Sequence, residues 1–188
     1  MDPHAPGGAL TEWYARDGAA LLRELGVCAG DTAFDVGCGD GQYVLPLAQV
    51  VGPQGHVTAV DRNAQKLTAL RARLESAGLA ERVNLVSGDA LDVLAAAAAD
   101  RFDAALVFDV LQHVDDGDAL LAALARVLRP AGQLLVYPTE AVHPGRVPMD
   151  RLREALQRHG FARPQPHRAR IAHSGGLVDD TVYRVGRA

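Results

Sequence analysis

Two hydrophobic rhythms alternate along this chain. Short, nearly continuous apolar runs at 32–36, 56–60, 83–86, 102–107 and 133–137 have the length and composition of buried strands. Between them lie stretches in which apolar residues recur three and four positions apart. The clearest are 43–51, a segment after Asn63 with Leu67, Leu70 and Leu74 on one face, and 116–128 with Leu120, Leu121, Leu124, Val127 and Leu128 inward. A fourth helix is expected from Ala90 through the alanine run to Ala99. Asn63 is placed to cap its helix, and Gly78 to end it. Strands that alternate with helices of this length pair in parallel and carry helices on both faces, so the pattern predicts an α/β doubly wound sheet.

The two ends break the rhythm. Residues 1–10 hold two prolines and two glycines and read as a flexible start, leaving 11–188 as one domain. A helix is expected over 11–25, closed by Gly26, ahead of the first strand. After Tyr137 come a loop, a helix over 149–159 and two strands, 168–173 and 181–185, joined through Gly175-Gly176 and Asp179-Asp180. That joint is too short for a crossover helix, so the last two strands form an antiparallel hairpin. Pro130-Ala131-Gly132 is read as the break before the strand at 133–137.

Composition narrows the function classes. With 188 residues, 48% hydrophobic and 22% charged, the chain suits one globular domain, and it contains neither an apolar run long enough to span a bilayer nor a leader-like start. A soluble cytoplasmic protein with no membrane span is expected. The formal charge of −4 argues against a nucleic-acid partner, although Arg163, His167, Arg168, Arg170, Arg184 and Arg187 make the last part locally basic. Cys28 and Cys38 are too few for a disulfide framework, and the scattered histidines form no metal-binding pattern.

The chemistry gathers at Phe34-Asp35-Val36-Gly37-Cys38-Gly39-Asp40-Gly41-Gln42, where a strand runs into a loop with glycine at every second position. Such a loop lets a ligand approach the backbone, and the helix it opens presents unpaired N–H groups. The spacing is neither GxGxxG nor GxxxxGK[ST], so neither a dinucleotide nor a nucleoside triphosphate is favoured. Asp61 follows the second strand, 20 residues after Gly41, and can accept hydrogen bonds from both hydroxyls of a ribose; Asp89 ends the third strand and faces the same crevice.

With these residues the chain resembles the class I S-adenosylmethionine-dependent methyltransferases, from about Thr11 onward. Asp35-Val36-Gly37-Cys38-Gly39-Asp40-Gly41 is similar to that family's glycine motif, Val60-Asp61-Arg62-Asn63 to its ribose-binding acid and Gly88-Asp89-Ala90 to its adenine-side motif. The run from Phe102 to Val114 is similar to its fourth strand and following turn. Arg126-Val127-Leu128-Arg129-Pro130-Ala131-Gly132 is similar to the approach to the fifth, with Ala131 where the family commonly has glycine. The resemblance implies a seven-stranded, mostly parallel sheet of order 3-2-1-4-5-7-6 with strand 7 antiparallel. It implies S-adenosylmethionine as cofactor, held by Asp35, Gly37, Cys38, Gly39, Gly41, Asp61, Arg62, Asp89 and Ala90, with the Val107 and Phe108 backbone reaching the methionine end.

Methyl transfer needs an aligned nucleophile and, for some acceptors, a base. His113, in the turn after the fourth strand, is the candidate catalytic base; Tyr137, Glu140 and His143 are candidate wall residues, and His173 reads as a strand residue near the sheet edge. Asp109 is read as an acceptor ligand or a turn cap, Cys38 as a small loop residue, and Trp13 with Tyr14 as a lid or as packing. No NPPY or DPPY tetrapeptide follows the fourth strand, against amino-nucleobase or glutamine N-methylation, and arsenite methylation would call for more cysteines. A small-molecule methyl acceptor is expected, in a site with thin cover that a partner subunit, such as a homodimer mate, could complete. The alternatives are a noncatalytic cofactor-binding protein of the same fold, or an RNA or protein methyltransferase using the basic tail.

Overall fold

The computed structural model describes residues 8–138, 148–173 and 175–188. Seven strands form one sheet: β1 (Thr32–Val36), β2 (His56–Asp61), β3 (Val83–Ser87), β4 (Phe102–Phe108), β5 (Leu128–Tyr137), β6 (Gln165–His173) and β7 (Gly176–Gly186). Their order is β3-β2-β1-β4-β5-β7-β6, and β7 runs antiparallel to both neighbours. The doubly wound topology expected from the sequence is therefore the observed one.

Because successive strand residues face opposite sides, each strand feeds two cores. On one side Ala33, Val57, Ala59, Leu106 and Leu135 pack under α1 (Gly8–Glu12), α2 (Gly18–Glu24), α3 (Val44–Val51) and α4 (Ala64–Ser76). On the other, Phe34, Val36, Val107 and Leu134 pack under α5 (Ala90–Ala96), α6 (Gly117–Val127) and α7 (Met149–Arg158). Phe34 and Phe102 meet edge to face there, with ring centroids 5.2 Å apart. No helix among the described residues is long and apolar enough to cross a membrane.

Caps explain several boundaries. Asn63 accepts from the Gln65 and Lys66 amides at the start of α4, Asp89 from Leu91 at α5, and Asp116 from Ala119 at α6. The alanine run does not carry α5 to Ala99, however. Its last carbonyls, of Leu94 and Ala97, are taken by the Arg126 guanidinium reaching across from α6, and the helix stops at Ala96.

Three further expectations change. The first helix is interrupted by a π-helical turn, Trp13–Asp17, which seats Trp13 in the core with its indole N–H donating to the Arg170 carbonyl at 2.9 Å. Pro130-Ala131-Gly132 does not precede β5 but lies within it: Leu128 already pairs with Phe102, and pairing resumes at Gln133 opposite Ala104. The intervening residues bulge outward, where a proline without an N–H costs the ladder nothing. The last hairpin is also longer than 168–173 and 181–185, and Asp179-Asp180 belongs to β7, not to the turn. It overruns its neighbour. β7 pairs with β5 only from Tyr183 to Gly186, whereas its pairing with β6 continues to Gly176 opposite His173.

Gly41 shows how tightly the glycine loop is tied to the core. Its φ is +77°, and a Cβ would lie 2.2 Å from Cδ1 of the fully buried Leu70. Gly41→Ala is expected to cost about 2–4 kcal/mol through left-handed backbone strain and overpacking, read as a lower urea midpoint at unchanged slope. A shift within error of zero would mean that Leu70 has room to move.

Candidate active site

The carboxyl ends of the parallel strands open on one crevice of about 570 Å³, a size suited to a ligand of nucleoside dimensions. Its floor is the loop after β1. Gly37, Gly39 and Gly41 all have positive φ, and the loop is stitched down by Cys38 N–H donating to the Val60 carbonyl and Gly41 N–H to the Cys38 carbonyl, both at 2.9 Å. A Cβ on Gly37 would stand 2.4 Å from Cγ2 of Val110, which leans over the loop from the turn after β4. Gly37 thus lets Val110 pack directly on the loop backbone, where any side chain would collide with it.

Asp61, at the end of β2, joins the loop to the second strand. One carboxylate oxygen accepts from Gly39 N–H at 2.7 Å and the other from Asn63 N–H at 2.8 Å. A carboxylate offers about four lone-pair positions, so capacity for a pair of hydroxyls remains. Asp89, at the end of β3, pairs with Arg62 and caps α5, and these hydrogen bonds hold its carboxyl below the usual carboxylate range, the Arg62 bond contributing most. Asp35 is buried, and burial, reinforced by the negative charge of Asp61, pushes its carboxyl up to about 8. Burial likewise pushes the Cys38 thiol far up, which makes it a small neutral loop residue and not a nucleophile.

Of the residues singled out in the sequence, Asp35, Gly37, Cys38, Asp61, Arg62, Asp89, Ala90, Phe108 and His113 line the crevice. Gly39 and Gly41 belong to the loop without lining the crevice, and the Val107 side chain is in the core beneath α6. His113 is exposed in a short 3-10 turn, Leu111–His113. Trp13 is packing and no lid. Glu140 and His143 lie outside the described residues.

His173 is a residue of the edge strand β6, as expected, but it also lines the crevice, with Nδ1 3.1 Å from Asp109 Oδ2 and its side chain only 13% exposed. The hairpin overrun brings it there, and nothing in the local pattern of β6 announces that. Tyr43 was also missed as a wall residue. Its ring meets Phe108 edge to face at 4.5 Å, and its hydroxyl donates to the Ala172 carbonyl at 3.0 Å. Tyr137 continues the row, 6.4 Å from Phe108 and 5.8 Å from the His173 ring, with its hydroxyl donating to Asp180 at 2.9 Å.

The crevice accordingly has two halves. Asp40, Asp61, Asp89, Asp109, Asp115 and Asp116 line it against the cations Arg62 and Lys66, a balance that disfavours a polyphosphate and favours a ligand carrying positive charge. The β1–β3 half is polar and built on backbone, whereas the β4–β6 half is walled by aromatic rings.

Residues 33–132 match a family model described as a methyltransferase domain. Among curated proteins, the demethylmenaquinone methyltransferase of Lactobacillus johnsonii is 32% identical over 119 residues, covering 63% of this chain and 48% of that protein. Methyltransferase GfsG of Streptomyces halstedii is 36% identical over 137 residues, covering 72% of this chain and 45% of its own length. The chain spans about half the length of these relatives. Among solved structures, a SAM-dependent methyltransferase from Aquifex aeolicus aligns with a TM-score of 0.71 over 93% of this chain and 92% of that one, at 20% identity, which speaks to fold alone. Motif, topology and family match agree: the chain belongs to the methyltransferase-domain family, with the class I fold of the S-adenosylmethionine-dependent methyltransferases.

Proposed function

We propose that this protein binds S-adenosylmethionine in the β1–β3 half of the crevice and transfers its methyl group to a small, flat acceptor held in the β4–β6 half. The observation that carries the reading is the donor set: a glycine loop with no room for a side chain at Gly37, tied through Gly39 to a strand-end carboxylate that retains acceptor capacity for ribose hydroxyls. The acidic lining fits a ligand with ammonium and sulfonium charges. When bound, the cofactor supplies a methyl group on a cationic sulfur that leaves as a neutral thioether.

The chain's own residues do the rest. Asp61 holds the ribose, Ala90 and Asp89 flank the base, and Asp35 and the loop backbone receive the amino-acid end. The Tyr43 and Phe108 rings, backed by the buried Tyr137, offer apolar edges to a planar acceptor, and the tyrosine hydroxyls are engaged elsewhere. A quinol-like acceptor agrees with this wall and with the name of the Lactobacillus johnsonii relative. His113, at the crevice edge, remains a candidate base.

Calorimetry with S-adenosylmethionine and S-adenosylhomocysteine tests the first half of the reading. Binding of both at micromolar levels is expected, and no heat with either would refute it. Release of S-adenosylhomocysteine across a panel of hydroquinones, catechols and naphthols tests the second; binding without turnover of any of them would favour a noncatalytic cofactor-binding protein.

A further inference from the structure

Asp109 and His173 form a carboxylate–imidazole pair that the motifs of the first four strands do not contain. Asp109 follows β4 with φ +55°, a backbone conformation uncommon for a residue with a side chain and often found where function demands it. Its amide donates to the Tyr137 carbonyl at 3.0 Å, which anchors the turn to the end of β5. Its carboxylate is held from both sides, by Gln112 Nε2 on Oδ1 at 2.7 Å and by His173 Nδ1 on Oδ2 at 3.1 Å. The other amide atom of Gln112, Oε1, is buried without a hydrogen-bond partner among the described residues. His173 is delivered from the opposite end of the sheet by the β6–β7 overrun, and its ring stacks edge to face on Tyr137.

Resting on the methyl-transfer reading, we propose that His173 is the general base for a phenolic or enolic hydroxyl on the acceptor, with Asp109 as its positioning residue. An Nδ1–H donated to Asp109 makes Nε2 the basic nitrogen of the neutral ring. The acceptor's O–H bond breaks, its proton moves to Nε2 and its electron pair stays on oxygen, giving an oxyanion and an imidazolium whose charge Asp109 stabilises. The oxyanion is the nucleophile, through oxygen or through the ring carbon beside it. Among the described residues, titratable groups facing the imidazole include Asp109 after β4 and Tyr137 of β5, the latter hydrogen-bonded to Asp180 of β7. The rings of Tyr43 and Phe108, backed by the buried Tyr137, line the crevice beside it and suit a planar aromatic acceptor.

A chromogenic phenol reads the proton transfer without any turnover. 4-Nitrophenol is titrated with the full chain saturated with S-adenosylhomocysteine, at a pH below the probe's own pKa, and the visible phenolate band is recorded. The wild type is expected to show the band on binding. His173→Gln should lose it by about tenfold or more, and Asp109→Asn, which leaves the imidazole in place, by about threefold to tenfold. A wild type that binds S-adenosylhomocysteine but shows no phenolate band overturns the proposal alone; a wild type that binds no S-adenosylhomocysteine refutes the methyl-transfer reading beneath it. An undiminished band in His173→Gln, or loss of the band in His113→Gln with retention in His173→Gln, also overturns it. Should His173→Gln fail to fold, an unchanged band in Asp109→Asn decides against the pair.

Discussion

Asp61→Ala is expected to weaken S-adenosylhomocysteine binding by about a hundredfold, close to 3 kcal/mol, while the protein stays folded. Hydrogen bonds from hydroxyls to an ionised carboxylate contribute about 1.5–3 kcal/mol each, and the substitution removes the group that would receive two of them. It also frees the Gly39 and Asn63 amides, so the loop loses one of its ties to β2, the Cys38–Val60 bond remaining, and α4 loses part of its entry geometry. Asp61→Asn separates the two contributions. The amide retains one acceptor oxygen but must present an NH₂ where one of the two backbone donors now points, so it should lose nearly as much affinity as alanine. Calorimetry gives the affinities and urea unfolding the stability. Undiminished binding by both variants would remove Asp61 from the ribose site and, with it, the main support for an adenosyl ligand.

Much of this half of the site was legible from sequence because it is built from consecutive residues. Gly37, Gly39 and Gly41 signal a backbone that must turn and stay bare, and a strand ending in Asp61 places its carboxylate beside that loop in any doubly wound sheet. The doubly wound class and the closing hairpin were accessible from β-α alternation and from one joint too short for a crossover, whereas the strand order followed from the resemblance to the class I methyltransferases. Boundaries failed where a distant group decided them. Arg126 terminates α5 from another helix, and the bulge in β5 depends on how Leu128 and Gln133 pair with β4.

The β4–β6 half of the crevice was poorly legible because its residues are far apart and none sits in a distinctive local pattern. Tyr43 reads as the start of an apolar helix, yet it lies where Trp13, Phe108 and the Ala172 carbonyl converge. His173 reads as one more residue of an edge strand. Only the length of the β6–β7 overrun, set by pairing from Gln165 opposite Arg184 to His173 opposite Gly176, carries it back over the crevice to Asp109. The conformation of Asp109 was equally hidden, since aspartate in a turn is ordinary and a positive φ is visible only in three dimensions.

Asp35→Asn should abolish the pH dependence of stability that Asp35 imposes from the end of β1. In the folded protein the Asp35 carboxyl is raised to about 8, chiefly by burial, from an ordinary value of 3.8. Between these values the native state keeps a proton that the unfolded chain releases, so unfolding stability falls as pH rises from about 4 to about 8 and is level above that. At about 1.4 kcal/mol per unit, the whole window amounts to as much as about 6 kcal/mol. Asparagine matches the shape, does not titrate, and is free of this penalty. Urea unfolding at pH 5 and pH 8 should therefore show the variant gaining on the wild type as pH rises, while parallel curves would mean that Asp35 is ionised throughout. Ligand binding provides the complementary sign. A cationic ligand beside Asp35 favours the carboxylate, so binding below pH 8 should release a proton, visible in calorimetry as a heat that changes with the buffer's ionisation enthalpy. The same release should make affinity for S-adenosylmethionine rise with pH through the window in the wild type and stay flat in Asp35→Asn, which binds more weakly at pH 8 even though it is the more stable protein there.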